Sequence, residues 1–170
     1  MELPKRKPTR LKEYDYLTPG AYFVTICVKD KKQVLSKIIV GDGVLDVPQN
    51  ILLSHGKIAE NYIEQMNEFY NHISVDKYVI MPNHIHFILK IDDTKNGTSR
   101  TPSPTNFEIS KFVSTFKRFC NRDYGENIWQ RSFHDHIIRD EKDYQKIWEY
   151  IDTNPFKWEL DCFYNIERSQ

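Results

Sequence analysis

The chain has 170 residues, 39% of them hydrophobic and 14% aromatic, with 24 basic side chains balanced by 24 acidic ones. That length suits one domain with a core of its own, and no uninterrupted apolar run approaches the roughly 20 residues that a bilayer span requires. Zero net charge removes any argument from overall charge for a nucleic-acid partner. The first twelve residues depart from this balance, setting Lys5, Arg6, Lys7, Arg10 and Lys12 against Glu2 alone. A basic arm over 1–18 follows, which reads either as a solubilising tail or as a grip on a polyanion. No apolar segment stands behind the arm, so it is not a secretory signal, and the expected compartment is the cytoplasm. Cys27, Cys120 and Cys162 form no Cys-x-x-Cys pair, which argues against a zinc ribbon or a disulfide framework.

Past the Pro19-Gly20 turn pair, residues 21–28 are β-branched and aromatic and predict a buried strand. Gly41-Asp42-Gly43, between 38–40 and 44–45, predicts a small hairpin. From Ile58, apolar residues recur at helical spacing through Ala59, Tyr62, Ile63, Met66, Phe69 and Tyr70, an amphipathic helix for a sheet face. Residues 73–81 and 84–91 read as two strands joined by Pro82-Asn83, close enough to pair antiparallel. The polar stretch at 92–106, with Gly97, Pro102 and Pro104, predicts a mobile loop rather than a domain linker. A second helix has the inner stripe Ile109, Phe112, Val113, Phe116, Phe119 and Cys120, and an outer side with Lys111, Lys117, Arg118 and Arg122. Such a side is ordinarily solvated, yet it also suits a phosphate backbone. Residues 128–138 read as the last strand. Asp140 is a good N-cap for a final helix buried along Tyr144, Ile147, Trp148 and Ile151. The order strand, helix, strand, strand, helix, strand predicts an α+β, ferredoxin-like antiparallel sheet with helices packed on it and an added C-terminal helix, as a single domain over 1–170.

Two His-x-His segments fall on predicted strands, His84-Ile85-His86 and His134-Asp135-His136. Alternation along a strand puts both histidines of a pair on one face, as a chelate or as an incidental pair, and spacing alone does not choose between the two segments. On the final helix, at about 100° per residue, Tyr150 and Asn154 lie about 110° and about 70° from the centre of the buried stripe, on the same flank. Being four apart, they are neighbours on the helix surface.

The chain resembles the single-tyrosine HUH transposases, and within them the REP-associated tyrosine transposases of bacteria. The resemblance rests on Val79-Ile80-Met81-Pro82-Asn83-His84-Ile85-His86, on Trp129-Gln130-Arg131 with Asp135-His136-Ile137-Ile138-Arg139, and on Tyr150-Ile151-Asp152-Thr153-Asn154-Pro155, and it extends over almost the whole chain. It implies that His84 and His86 are metal ligands completed by Asn154, that Tyr150 is the nucleophile, and that the metal is Mg²⁺ or Mn²⁺. The implied reaction is nicking and rejoining of single-stranded DNA beside hairpins of repetitive extragenic palindromes, through a 5′-phosphotyrosine link. The expected partner is single-stranded or hairpin DNA, with no membrane and no nucleotide cofactor, in a monomer or homodimer of the bacterial nucleoid. Arg6, Arg10, Lys111, Lys117, Arg118 and Arg131 are the candidate DNA contacts. The competing expectation is a non-catalytic ferredoxin-like nucleic-acid-binding protein.

Overall fold

The computed structural model describes residues 19–39, 47–92 and 105–160, apart from the side chains of 105–107. The basic arm with Arg6 and Arg10, the turn at 41–43 with Val44 and Leu45, residues 93–104 of the predicted loop, and Cys162 lie outside the described residues. Strand β1 (Gly20–Cys27) is followed by β2 (Ser36–Ile39), β3 (Gln49–Leu52), α1 (Ser54–Phe69), β4 (Ile73–Ile80), β5 (His84–Ile91), α2 (Thr105–Tyr124), β6 (His134–Ile138) and α3 (Glu141–Thr153). The main sheet is antiparallel throughout, in the order β4-β5-β1-β6, with β2 and β3 paired separately. This is the α+β arrangement expected from the element order. Among the described residues no helix is long and apolar enough to cross a membrane.

The two faces of the sheet carry different loads. Tyr22, Val24 and Ile26 of β1 and Ile85, Phe87 and Leu89 of β5 are buried in one cluster with Ala59, Tyr62, Ile63 and Met66 of α1 and Phe112, Val113 and Phe116 of α2. Burying these side chains, at about 1.5–3 kcal/mol for each of the larger ones before entropy is counted, is what holds α1 and α2 to the sheet. The opposite face carries His84, His86, Ile88 and Lys90 of β5, and it is crossed by α3. Lys77 of β4 bridges to Asp152 at 2.5 Å and sits 4.2 Å from the Trp148 ring, while Tyr144 meets Asp76. Asp76 is the extra residue where the β4–β5 register shifts between Val75 and Lys77, a bulge that turns its carboxylate toward Lys90, 2.9 Å away.

Several local expectations are corrected. Helix α1 begins at Ser54 rather than near Ile58, and in its first turn Gly56 lies directly against the Leu35 carbonyl, where a Cβ has no room. The second arm of the hairpin is Gln49–Leu52, later than 44–45. Helix α2 takes in 105 and 106 from the predicted loop. The strand expected over 128–138 is confined to His134–Ile138. Before it, Trp129 makes a single bridge to Val28, and the carbonyls of Gln130 and Ser132 accept from the Lys117 ammonium instead of from a strand. Helix α3 begins as expected, with Asp140 Oδ1 accepting from the Asp143 N–H at 2.8 Å. Of its expected stripe only Ile151 is fully buried, because the helix lies on the sheet as an outer layer with its other sides in solvent.

Candidate active site

The turn between β4 and β5 is closed by the Met81 N–H donating to the His84 carbonyl at 2.9 Å. Inside it Asn83 is 1% exposed, and its amide nitrogen donates to the Lys31 carbonyl at 3.2 Å. Asp30 and Lys31 both hold left-handed backbone with φ 55°, which brings that carbonyl round to the turn. With its nitrogen so committed, Asn83 presents Oδ1 to His84 Nδ1 at 2.8 Å. An amide oxygen only accepts, so His84 carries its proton on Nδ1 and its Nε2 keeps a lone pair. Burial pushes the His84 imidazole down to about 3, so at neutral pH that lone pair is not lost to a proton.

Two residues on, His86 points to the same side, and its Nε2 stands 3.0 Å from His84 Nε2. Its Nδ1 is 2.8 Å from the Thr25 hydroxyl, which the β1–β5 register places opposite it. One proton between the two Nε2 atoms satisfies both, with Thr25 donating to Nδ1. A hydroxyl also accepts, so the same contact persists with the proton on Nδ1, and both Nε2 lone pairs then converge. The pair is 0% and 1% exposed, far drier than an incidental pair on a solvated face.

Tyr150 reaches this pair from α3. Its hydroxyl is 3.3 Å from His86 Nε2, and its ring packs with Phe23, whose own ring stacks on His86 at 5.0 Å. At 39% exposed, it is both in contact with the histidines and open to an incoming molecule. Asn154 ends α3 and begins the 3-10 turn Asn154–Leu160; it is 2% exposed, and the turn carries Trp158 to 6.0 Å from the His84 ring. A strand pair, a neighbouring strand's hydroxyl and the end of the last helix thus meet at one place.

No protein-family model matches the chain. An uncharacterized protein of Haemophilus influenzae is 34% identical over 174 residues, spanning 94% of this chain and 93% of that protein. The REP-associated tyrosine transposase of Escherichia coli K12 is 25% identical over 142 residues, spanning 84% of this chain and 70% of that one. A solved REP-associated tyrosine transposase bound to a REP hairpin has the same fold, with TM-score 0.61 and 21% identity over 89% of this chain and 75% of the other. In sequence and fold the chain is REP-associated tyrosine transposase-like.

The structure of this transposase-like chain brings together His84, His86 and Tyr150, and buries Asn154 at the end of the same helix, one turn after Tyr150. The second pair shares the same sheet face, since Thr25 pairs with both His86 and His134, but it is exposed on the edge strand β6, and His136 is held by Asp143 at 2.9 Å. The DNA-contact candidates are not gathered. Lys117 is corrected to a structural residue: it is buried, its ammonium donates to Gln130 O at 2.8 Å and Ser132 O at 3.0 Å, and desolvation lowers it to about 8. Lys111 and Arg118 are exposed, but on α2, across the sheet from the histidines. Arg131 is exposed in the bend ahead of β6 rather than on a strand. Sequence reasoning missed Asn83, Thr25, Phe23 and Trp158 as parts of the site. Asn83 had a signal, standing next to the first histidine, whereas Thr25 is found only through strand register.

Proposed function

We propose that this chain nicks and rejoins single-stranded DNA beside hairpin, REP-like sequences, with Tyr150 as nucleophile and a divalent cation held by His84, His86 and Asn154. The observation that carries the reading is the Tyr150 hydroxyl, 3.3 Å from one nitrogen of a buried imidazole pair whose Nε2 atoms converge at 3.0 Å. Tyr150 is 39% exposed, so its hydroxyl is open to a group arriving from solvent. The related protein solved with a REP hairpin supplies the substrate class.

The residues fit a cation. A separation of 3.0 Å between nitrogens matches the edge of an octahedron with bonds of about 2.1 Å. His84 is kept neutral by burial and held in the right tautomer by Asn83. The third donor in this reading is the amide of Asn154, the residue that the resemblance puts at the metal and that is buried one turn after Tyr150. Three neutral ligands leave positions for phosphate oxygens and water; imidazole donors favour Mn²⁺ over the harder Mg²⁺, which the amide, phosphate and water oxygens suit. A bound divalent ion would polarise the scissile phosphate and stabilise the charge developing on its oxygens.

The remaining steps belong to the chain's own groups. Tyr150 Oη attacks phosphorus, the bond from phosphorus to the 3′ oxygen breaks, and that oxygen leaves as a hydroxyl while the phenol loses its proton. The 5′-phosphotyrosine link keeps the bond energy, and attack by a 3′-hydroxyl reverses the step. Phe23 and His86 restrict the Tyr150 ring, which positions Oη ahead of attack. A His86 lone pair given to a cation is not available to take the phenol proton, so His86 orients rather than deprotonates Tyr150 in the loaded enzyme. The reading covers 1–170 as a single HUH transposase-like domain in the bacterial cytoplasm.

The test is a denaturing gel of protein incubated with a hairpin oligonucleotide carrying a single-stranded extension and Mg²⁺ or Mn²⁺. Wild type is expected to give a covalent adduct and Tyr150→Phe none, with unchanged DNA binding. An adduct formed equally by Tyr150→Phe removes the assignment. Cleavage without any adduct identifies a hydrolase that uses water, and binding without cleavage identifies a non-catalytic DNA-binding protein.

A further inference from the structure

Basic and acidic residues of α3 stand at different angles from Tyr150. At about 100° per residue, Lys146 and Lys142 are about 40° and about 80° around the helix from Tyr150, Glu149 follows in the same direction at about 100°, and Asp152 and Glu141 lie on the opposite side at about 160° and about 180°. Two cavities follow these sides. One, of about 580 Å³ between α3 and strands β4 and β5, is lined by Asp76, Glu141, Glu149 and Asp152, with Lys90 as its one cation. The other, of about 390 Å³ at the corner between β6 and α3, has Arg139, Lys142 and Lys146 in its wall with His136.

Both carboxylates of this second cavity are already committed. Asp140 caps α3 by accepting from the Asp143 N–H, and Asp143 accepts from His136 and from the Arg139 N–H. Among the described residues none of Arg139, Lys142 and Lys146 is in an ion pair. The three cations outnumber the two carboxylates that line this open hollow, where Lys146 acts on Asp143 through space. The hollow adjoins the site: His136 pairs in register with Phe23, which packs on both His86 and Tyr150. Lys142 and Lys146 lead to Tyr150 in steps of four residues, about 6 Å each along the helix.

We propose that the cavity formed by Arg139, Lys142 and Lys146 binds backbone phosphates of the single strand next to the scissile phosphate, so that the strand reaches Tyr150 from the β6 side of α3. In the first cavity Asp76 and Asp152 are paired with Lys90 and Lys77, so repulsion of the same backbone there comes from Glu141 and Glu149. This rests on the nicking reading above, and it adds the path of the strand and three contacts that replace the distant Lys111 and the buried Lys117.

The test compares full-length wild type, Lys142→Gln/Lys146→Gln and Glu141→Gln/Glu149→Gln for binding to a hairpin oligonucleotide with a single-stranded extension, over a series of salt concentrations, and to the same hairpin without the extension. All four positions are exposed, and circular dichroism checks that each variant is folded. Each phosphate contact on a single strand contributes about 0.7 to the slope of log affinity against log salt, so the lysine double variant is expected to lose about 1.4 of slope and about tenfold in affinity near 0.15 M salt. The loss should vanish on the hairpin without the extension, and the glutamate double variant should bind no more weakly than wild type. An unchanged slope for the lysine variant, with wild type still forming the covalent adduct, overturns the strand path and leaves the nicking reading standing. Equal weakening on the hairpin without an extension also overturns it, since the lysines would then serve the stem. Wild type that neither binds DNA nor forms an adduct removes both.

Discussion

Two His-x-His segments in this chain have identical spacing, sit on strands of one sheet and face the same side of it, yet they are chemically unlike. His84 and His86 are on β5, an interior strand flanked by β4 and β1, with Tyr150 and the Asn154–Leu160 turn above them. His134 and His136 are on β6, the edge strand, and remain exposed. In the interior pair each Nδ1 has a built partner, Asn83 or Thr25, and the Nε2 atoms converge. On the edge, His136 turns its Nε2 to Asp143 and serves the junction with α3. Spacing determines which face a histidine occupies; the neighbouring strands decide whether its lone pair is dry, oriented and available.

The strongest way to break this comparison is to exchange the roles of the pairs. His84→Ala or His86→Ala is expected to lower metal-dependent nicking by a hundredfold or more, several kcal/mol of transition-state stabilisation. His134→Ala should stay within about twofold of wild type, measured as adduct formed per minute with Mg²⁺ and with Mn²⁺. The opposite pattern would make the edge pair the metal centre. A smaller effect sharpens what the surroundings of the interior pair contribute. Asn83→Ala and Thr25→Val leave both imidazoles present but remove their orienting partners, and a 10–100-fold weaker apparent affinity for Mn²⁺ is expected. Thr25→Ser, which keeps the hydroxyl, should recover most of it; a Thr25→Val enzyme with an unaltered Mn²⁺ titration would reduce that contact to packing.

The smallest expected effect falls on the lead-in to the edge pair. Lys117→Met strands the carbonyls of Gln130 and Ser132, a loss of about 1–3 kcal/mol in stability. That corresponds to a fall in melting temperature of about 2–10 °C, while nicking per folded molecule is unchanged. Burial outweighs the two carbonyl acceptors and lowers the Lys117 ammonium to about 8, against about 10.4 in an unfolded chain. Between these values the unfolded chain holds a proton that the folded one has released, so this group makes stability rise with pH. Thermal melts of wild type between about pH 8 and 9.5 should show that rise, and Lys117→Met should lack it. A parallel pH profile in the variant would mean that the ammonium keeps its proton in the fold.

Much of the site could be read from residue order, and the misreadings share a cause. The flank shared by Tyr150 and Asn154 follows from helical period, and the Asp140 cap follows from residue type; both are local properties. Lys117 was misplaced because helical period puts it at the border of the outer side, and only the packing of 130–132 against α2 decides that its ammonium is buried. The strand expected over 128–138 is shortened for the same reason, since the carbonyls of Gln130 and Ser132 accept from Lys117 rather than from a neighbouring strand. Arg139, Lys142 and Lys146 drew no attention in a neutral chain because their importance lies in which side of α3 faces the histidines.

What the sequence by itself determined is local and periodic: the α+β order of elements, the face of each strand on which the histidines stand, and the side of the last helix on which Tyr150 and Asn154 lie. Period and propensity act over a few residues, so they are written in the chain. Only the tertiary structure decided which histidine pair is buried, which strand's hydroxyl orients it, and which cations stand beside the tyrosine. These outcomes depend on contacts such as Thr25 with His86, 61 residues apart, and Tyr150 with His86, 64 apart. Strand order sets them, and strand order is a property of the whole core rather than of any stretch of it.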